Sequence, residues 1–263
     1  MRVFDKKFIE NPFKKAVLEG KIQLGIGLNS GEATMAEIAA GSGYDWLWID
    51  AEHGPSTLND IIAQARAIAG YSGHTVVRPA NPDRFFIKQL LDAGIQTIIA
   101  PMVETKEQAE EIAKSMYYPP RGHRGFGAPA ARAGRWNRLP EYISHAEEEL
   151  FLILQIESRK GIENLKDIVT TDGVGAIFLG PADLAVDMGY KGDFSGKEMQ
   201  ETIKKLIENI RALGKPVGTI ASTPDEAKRY IDWGANFVAV GSDVILYANA
   251  LDTLLDNFKH LKK

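Results

Sequence analysis

Four stretches of the chain share one local pattern: a glycine, two further residues, then a short apolar run. Gly43-Tyr-Asp precedes Trp46-Leu-Trp-Ile-Asp50, and Gly94-Ile-Gln precedes Thr97-Ile-Ile-Ala-Pro101. Gly173-Val-Gly precedes Ala176-Ile-Phe-Leu-Gly180, and Gly234-Ala-Asn precedes Phe237-Val-Ala-Val-Gly241. Glycine ends a helix in the left-handed conformation without steric cost. An apolar run without polar alternation is a strand buried on both faces. Each stretch therefore reads as a helix running into a buried parallel strand. Four more runs, at 22–28, 75–79, 151–157 and 216–221, bring the strands to eight.

Helices fill the intervals. Asn81-Pro82-Asp83 opens one with Asn81 as cap and Pro82 in the first position, and Thr223-Pro224-Asp225-Glu226 opens another the same way. Residues 198–213 carry apolar side chains at helical spacing, and residues 244–261 form the last helix. Residues 4–19 are expected to form an extra helix over the barrel floor. Eight alternations in 263 residues predict one (β/α)8 barrel spanning 1–263, for which ~250 residues is typical. A doubly wound open sheet is the competing architecture.

Composition narrows the function. Hydrophobic content of 44%, charged content of 25% and a net charge of −4 describe an ordinary globule without the basic surface of a nucleic-acid binder. No apolar run approaches the ~18 residues of a membrane span. The absence of cysteine removes thiol chemistry and suits a cytoplasmic enzyme.

Gly25-Ile-Gly27-Leu-Asn-Ser30, followed by Asp50 at the end of the next strand, imitates a dinucleotide-binding fingerprint. That would make the chain an NAD-dependent oxidoreductase. Serine replaces the third glycine, and the eight-strand count disfavours the fold. The plainer reading is a tight turn with Ser30 as a helix N-cap.

The polar residues at strand ends are more telling. In a parallel barrel every strand opens onto one face. Asp50 ends one strand and His53 follows three residues later; Arg78 ends the next; Gln155 and Glu157 end another; Asp183 lies just past Gly180. Glu157 and Asp183 are two hard oxygen donors suited to a divalent cation such as Mg²⁺, Mn²⁺ or Co²⁺, with positions left for substrate and water. Each acid alone also has a structural reading, Glu157 as a salt-bridge partner of Arg159 and Asp183 as a helix cap. Arg78 is placed to stabilise an oxyanion, or to neutralise a carboxylate. Asp92 sits in the last turn of its helix, where the macrodipole disfavours an anion. The long connection 116–149, with Arg121, Arg124, Arg132 and Arg135, suggests a carboxylate-receiving rim, a lid or a subunit contact.

Several of these stretches together resemble the metal-dependent pyruvate aldolases of the HpcH/HpaI family. They are Trp48-Ile-Asp-Ala-Glu-His-Gly54, Val77-Arg-Pro79, Ala100-Pro-Met-Val103, Pro119-Pro-Arg-Gly-His-Arg-Gly125, Gln155-Ile-Glu157 and Gly180-Pro-Ala-Asp-Leu184. The resemblance implies a (β/α)8 barrel and a homohexamer whose dimers exchange a C-terminal helix. It makes Glu157 and Asp183 metal ligands, His53 the base, and Arg78 the enolate stabiliser. Gln155, Ala182 and Asp183 would line the pyruvate site. Asp92 of a neighbouring subunit would raise the basicity of the histidine, with Asp50 as the other candidate. The reaction implied is reversible cleavage of a 2-keto-4-hydroxy acid to pyruvate and an aldehyde. Carbon–carbon cleavage of a CoA thioester is the alternative. No lysine lies within the eight runs, which disfavours a Schiff base, although Lys106 and Lys160 lie just beyond strand ends.

Overall fold

The computed structural model describes residues 7–262. Eight parallel strands close into a barrel in sequence order, β1 (Gln23–Leu28), β2 (Trp46–Asp50), β3 (His74–Arg78), β4 (Thr97–Ala100), β5 (Phe151–Ile156), β6 (Val174–Leu179), β7 (Val217–Ile220) and β8 (Phe237–Ser242). Strand β8 pairs back onto β1, which rules out the open sheet. The surrounding helices are α2 (Ala33–Gly41), α3 (Leu58–Ile68), α4 (Arg84–Asp92), α5 (Lys106–Met116), α6 (Tyr142–His145), α7 (Arg159–Glu163) and α8 (Leu165–Val169). They continue with α9 (Pro181–Asp187), α10 (Lys197–Ala212), α11 (Pro224–Asp232) and α12 (Asp243–Phe258). No helix among the described residues is long and apolar enough to cross a membrane. Gly43, Gly94, Gly173 and Gly234 all have φ between 86° and 117°, as the junction pattern requires.

The extra helix over the floor, α1 (Pro12–Leu18), is shorter than the expected 4–19. Asn11 Oδ1 accepts from Lys14 N and Pro12 is first, so the same cap-plus-proline signal used elsewhere starts this helix too. Residues 7–11 are not helical, and the expected start at residue 4 lies outside the described residues. Two other caps also differ. Asp83, not Asn81, caps α4, because its Oδ1 accepts from both Phe85 N and Phe86 N. Ser30 caps no helix: its Oγ accepts from Glu32 N within a turn, and α2 starts three residues later at Ala33.

The barrel interior is aromatic. Phe13 of α1 enters from below and meets Phe237 and Phe151 edge-on at 5.8 and 6.1 Å. Trp46 and Phe178 join the same cluster. Glycine makes the room: a Cβ at Gly25 would lie 2.2 Å from the Trp46 ring, and one at Gly218 would lie 2.2 Å from Phe237. The first glycine of the apparent dinucleotide fingerprint is thus a packing glycine inside a barrel. A second, aliphatic layer lies between the strands and the helices.

Candidate active site

Strand periodicity builds the site. Side chains alternate across a strand, so inward Trp46 and Trp48 put Asp50 inward at the top of β2. Inward Val76 does the same for Arg78 on β3, and inward Phe151 and Ile153 for Gln155 and Glu157 on β5. Asp50 and Arg78 are directly paired in register. These four residues meet at the carboxyl end of the barrel.

Their hydrogen bonds fix their orientation. Arg78 Nε and Nη2 donate to Asp50 Oδ1 and Oδ2 at 2.9 and 2.7 Å, and both side chains are buried. The guanidinium lies 4.4 Å above the Trp48 ring. Asp50 also accepts from Asn29 Nδ2 at 2.7 Å and from the backbone N–H of Glu52 and His53. Burial would raise the Asp50 carboxyl, but hydrogen bonding and charge from Arg78, with those two N–H groups, outweigh it and hold it below the usual range. Asp50 therefore orients Arg78. It touches the backbone of His53 rather than its ring, which corrects the alternative in which Asp50 tunes the imidazole.

Glu52 is the residue that sequence reasoning missed. Its Oε2 lies 2.9 Å from Arg78 Nη1 and 3.6 Å from His53 Nε2, bridging the arginine and the histidine. Burial raises its carboxyl despite the attraction of Arg78. It sits in the turn after β2, where strand periodicity no longer applies; only its adjacency to His53 hinted at it.

Glu157 is buried, and its Oε1 accepts from Met102 N at 2.8 Å, with Met102 held at φ 52°. Gln155 Nε2 donates to Glu157 Oε2, and Gln155 Oε1 accepts from Arg78 Nη1 at 3.4 Å. Gly180 leaves space for them: a Cβ there would lie 2.5 Å from Glu157 Oε2. Ala182 and Asp183 follow, exposed in the first turn of α9. Burial, with the charges of Asp183 and Glu52, pushes the Glu157 carboxyl up to about 7. Glu52, Glu157 and Asp183 thus bring like charges together at this end of the barrel. Among the described residues no set of three or more side-chain ligands gathers. A divalent ion on Glu157 and Asp183 would thus keep open positions, and the donor set fits one.

The remaining expectations divide. His53 stands at the mouth, its side chain 59% exposed. Asp92 is not in this site within one chain. It ends α4, just before the chain turns at Gly94 into the foot of β4, and its Oδ1 accepts from Arg124 Nη2 at 2.8 Å. The arginines of the long connection do not form a rim at the open face. Arg121 stacks 3.8 Å from the Tyr117 ring and pairs with Asp172, just before the foot of β6, and with Glu147. Arg124 is buried on Asp92, and Arg132 Nη1 caps Ala93 O at the end of α4. Lys106 and Lys160 are exposed and paired with Glu110 and Glu104.

Comparison with known proteins places this geometry in a family. The family model for HpcH/HpaI aldolase/citrate lyase matches residues 23–250. The chain is 48% identical over 251 residues to a 2-keto-3-deoxy-L-rhamnonate aldolase of Klebsiella pneumoniae, covering 95% of this chain and 94% of that one. It is 46% identical, with the same coverage, to the enzyme of that name from Escherichia coli. Among solved structures, an HpcH/HpaI aldolase/citrate lyase family protein from Burkholderia cenocepacia superposes with a TM-score of 0.90 at 30% identity. That match covers 95% of this chain and 99% of that one. The chain thus belongs to the HpcH/HpaI aldolase/citrate lyase family and is an aldolase, a carbon–carbon lyase.

Proposed function

We propose that the protein reversibly cleaves a 2-keto-3-deoxy sugar acid to pyruvate and a hydroxyaldehyde, and that 2-keto-3-deoxy-L-rhamnonate is a substrate. The observation that carries this is the convergence of Arg78, Glu157, Asp183 and His53 on one end of the barrel. The relatives named for that substrate support it. Cleavage between C3 and C4 of that acid releases pyruvate and lactaldehyde.

Glu157 and Asp183 would hold Mg²⁺, Mn²⁺ or Co²⁺. Bound there, such an ion supplies Lewis acidity toward the keto and carboxylate oxygens of the pyruvyl half. Gln155 and Ala182 face that half. His53 takes the proton of the 4-hydroxyl as the C3–C4 bond breaks. The bonding pair moves into the enolate of pyruvate, and Arg78, locked by Asp50, stabilises the negative charge on its oxygen. Return of that proton from His53 to C3, directly or through a water, completes pyruvate and regenerates the base.

Asp92 serves His53 from a neighbouring subunit in this reading. Its distance from the site of its own chain supports that, and Arg124 holds its carboxylate in place there. Helix α12 supports assembly. Ile245, Tyr247, Leu251, Leu254, Leu255 and Phe258 stand 48–61% exposed, which suits a helix exchanged with a second copy into a hexamer. A cysteine-free chain of this kind fits the cytoplasm. Supplying pyruvate, each of the three metals and a panel of aldehydes, then identifying the products, tests the reading. Failure of every aldehyde to condense would refute it.

A further inference from the structure

Beyond Glu52 the site continues into a cavity of about 590 Å³ between the β3–α4 loop and α5. Its inner end is the reaction centre itself: Glu52 pairs with Arg78, and Met102 N holds Glu157. Its outer walls carry Asn81, Glu107, Gln108 and Glu111. Three of the lining residues are carboxylates, and no lysine or arginine lines it. Arg78 is held by Asp50 and Glu52, and Lys106 lies near Glu110. Of the two outer carboxylates, Glu111 lies 2.9 Å from His123 of the long connection. Gln108 Oε1 accepts from Glu104 N and Thr105 N, which leaves its amide N–H groups for a ligand oxygen.

We propose that this cavity takes the aldehyde half of the substrate, and that Glu107 and Glu111 make it select uncharged hydroxyaldehydes over aldehydes bearing a carboxylate. The inference rests on the aldolase reading above and adds the chemistry of the second product. A carboxylate entering the cavity meets like charge with no lysine or arginine in the lining to receive it, whereas hydroxyl groups find Asn81 and Gln108. Glu107 and Glu111 lie near the surface, so the discrimination is screened by salt.

The test is condensation of pyruvate with lactaldehyde or with succinic semialdehyde, read as the ratio of the two kcat/KM values within each protein. Wild type at low ionic strength is expected to favour lactaldehyde by about tenfold or more. The Glu107→Gln, Glu111→Gln double variant narrows the ratio by roughly three- to tenfold, the scale of two partly exposed charges. The Glu107→Lys, Glu111→Lys pair narrows it further, and high salt shrinks the difference between the proteins. A wild-type preference for succinic semialdehyde would overturn the proposal. So would a ratio unmoved in both double variants while both aldehydes still react. Failure of the aldolase reading looks different: neither aldehyde then condenses, and both conclusions fall.

Discussion

At the scale of single residues, the site depends on one buried pair. Asp50 and Arg78 are locked bidentately, and breaking such a pair leaves an uncompensated buried charge. Asp50→Asn is expected to cost about 3 kcal/mol in chemical denaturation. It should also lower cleavage at least about tenfold while leaving metal affinity near wild type. His53→Ala should lower cleavage by about 10²–10⁴-fold with metal binding intact, the usual worth of a positioned base. If Asp92 acts across a subunit boundary, mixing and reassembling the His53→Ala and Asp92→Asn proteins should recover activity that neither has alone. No recovery in confirmed mixed oligomers would place the histidine's support elsewhere, with Glu52 the nearest candidate. Asp50, Arg78, Gln155 and Glu157 were legible in the sequence because a period of two fixes which strand-end residues point inward. Glu52 and Asn29 were not, since a turn has no such period. The arginines misled for a related reason: their number marks a cation-rich segment, but only tertiary packing sends Arg121 toward Asp172 and the foot of β6.

At the scale of elements, α1 shows how the floor is sealed. Asn11 Nδ2 donates to Thr97 Oγ1, whose hydroxyl is also hydrogen-bonded to His74 Nε2 at 2.9 Å. Burial holds the His74 pKa down at about 4, so the ring is neutral at pH 7. The sign follows from linkage. The unfolded chain protonates near the ordinary 6.5 and the folded chain near 4, so stability present above 6.5 is lost as pH falls between those values. Thermal melting of His74→Asn across that window should show a shallower acid loss than wild type; an equal slope would mean that another group dominates. Asn11-Pro12 carries the cap-plus-proline signal that starts α1, and the expected span of 4–19 passed over it. Helix α12 was read almost to its end, since Phe258 passes into a short 3₁₀ turn, Lys259–Leu261. Its exposed apolar residues look like core to a pattern reading; only the fold shows that its own chain leaves them uncovered.

At the scale of the whole molecule, the barrel separates stability from chemistry. Aromatic packing fills the floor and middle, and the carboxyl ends of the strands collect acids that repel one another. The Glu157 carboxyl, raised from 4.5 to about 7, makes the metal-free protein less stable as pH rises through that range, by about 3 kcal/mol in full. The same deprotonation should strengthen metal binding, so added metal should raise the melting temperature more at pH 8 than at pH 6. Glu157→Gln should remove both trends. The central claim is that Glu157 and Asp183 support a metal-dependent aldol cleavage. It is tested most directly by following pyruvate release from 2-keto-3-deoxy-L-rhamnonate in protein stripped with chelator, then resupplied with Mg²⁺, Mn²⁺ or Co²⁺. No release is expected after stripping, with recovery on adding metal, no recovery in Glu157→Gln, and no borohydride-trapped adduct. Full release in excess chelator, or a trapped lysine adduct with pyruvate, would contradict it.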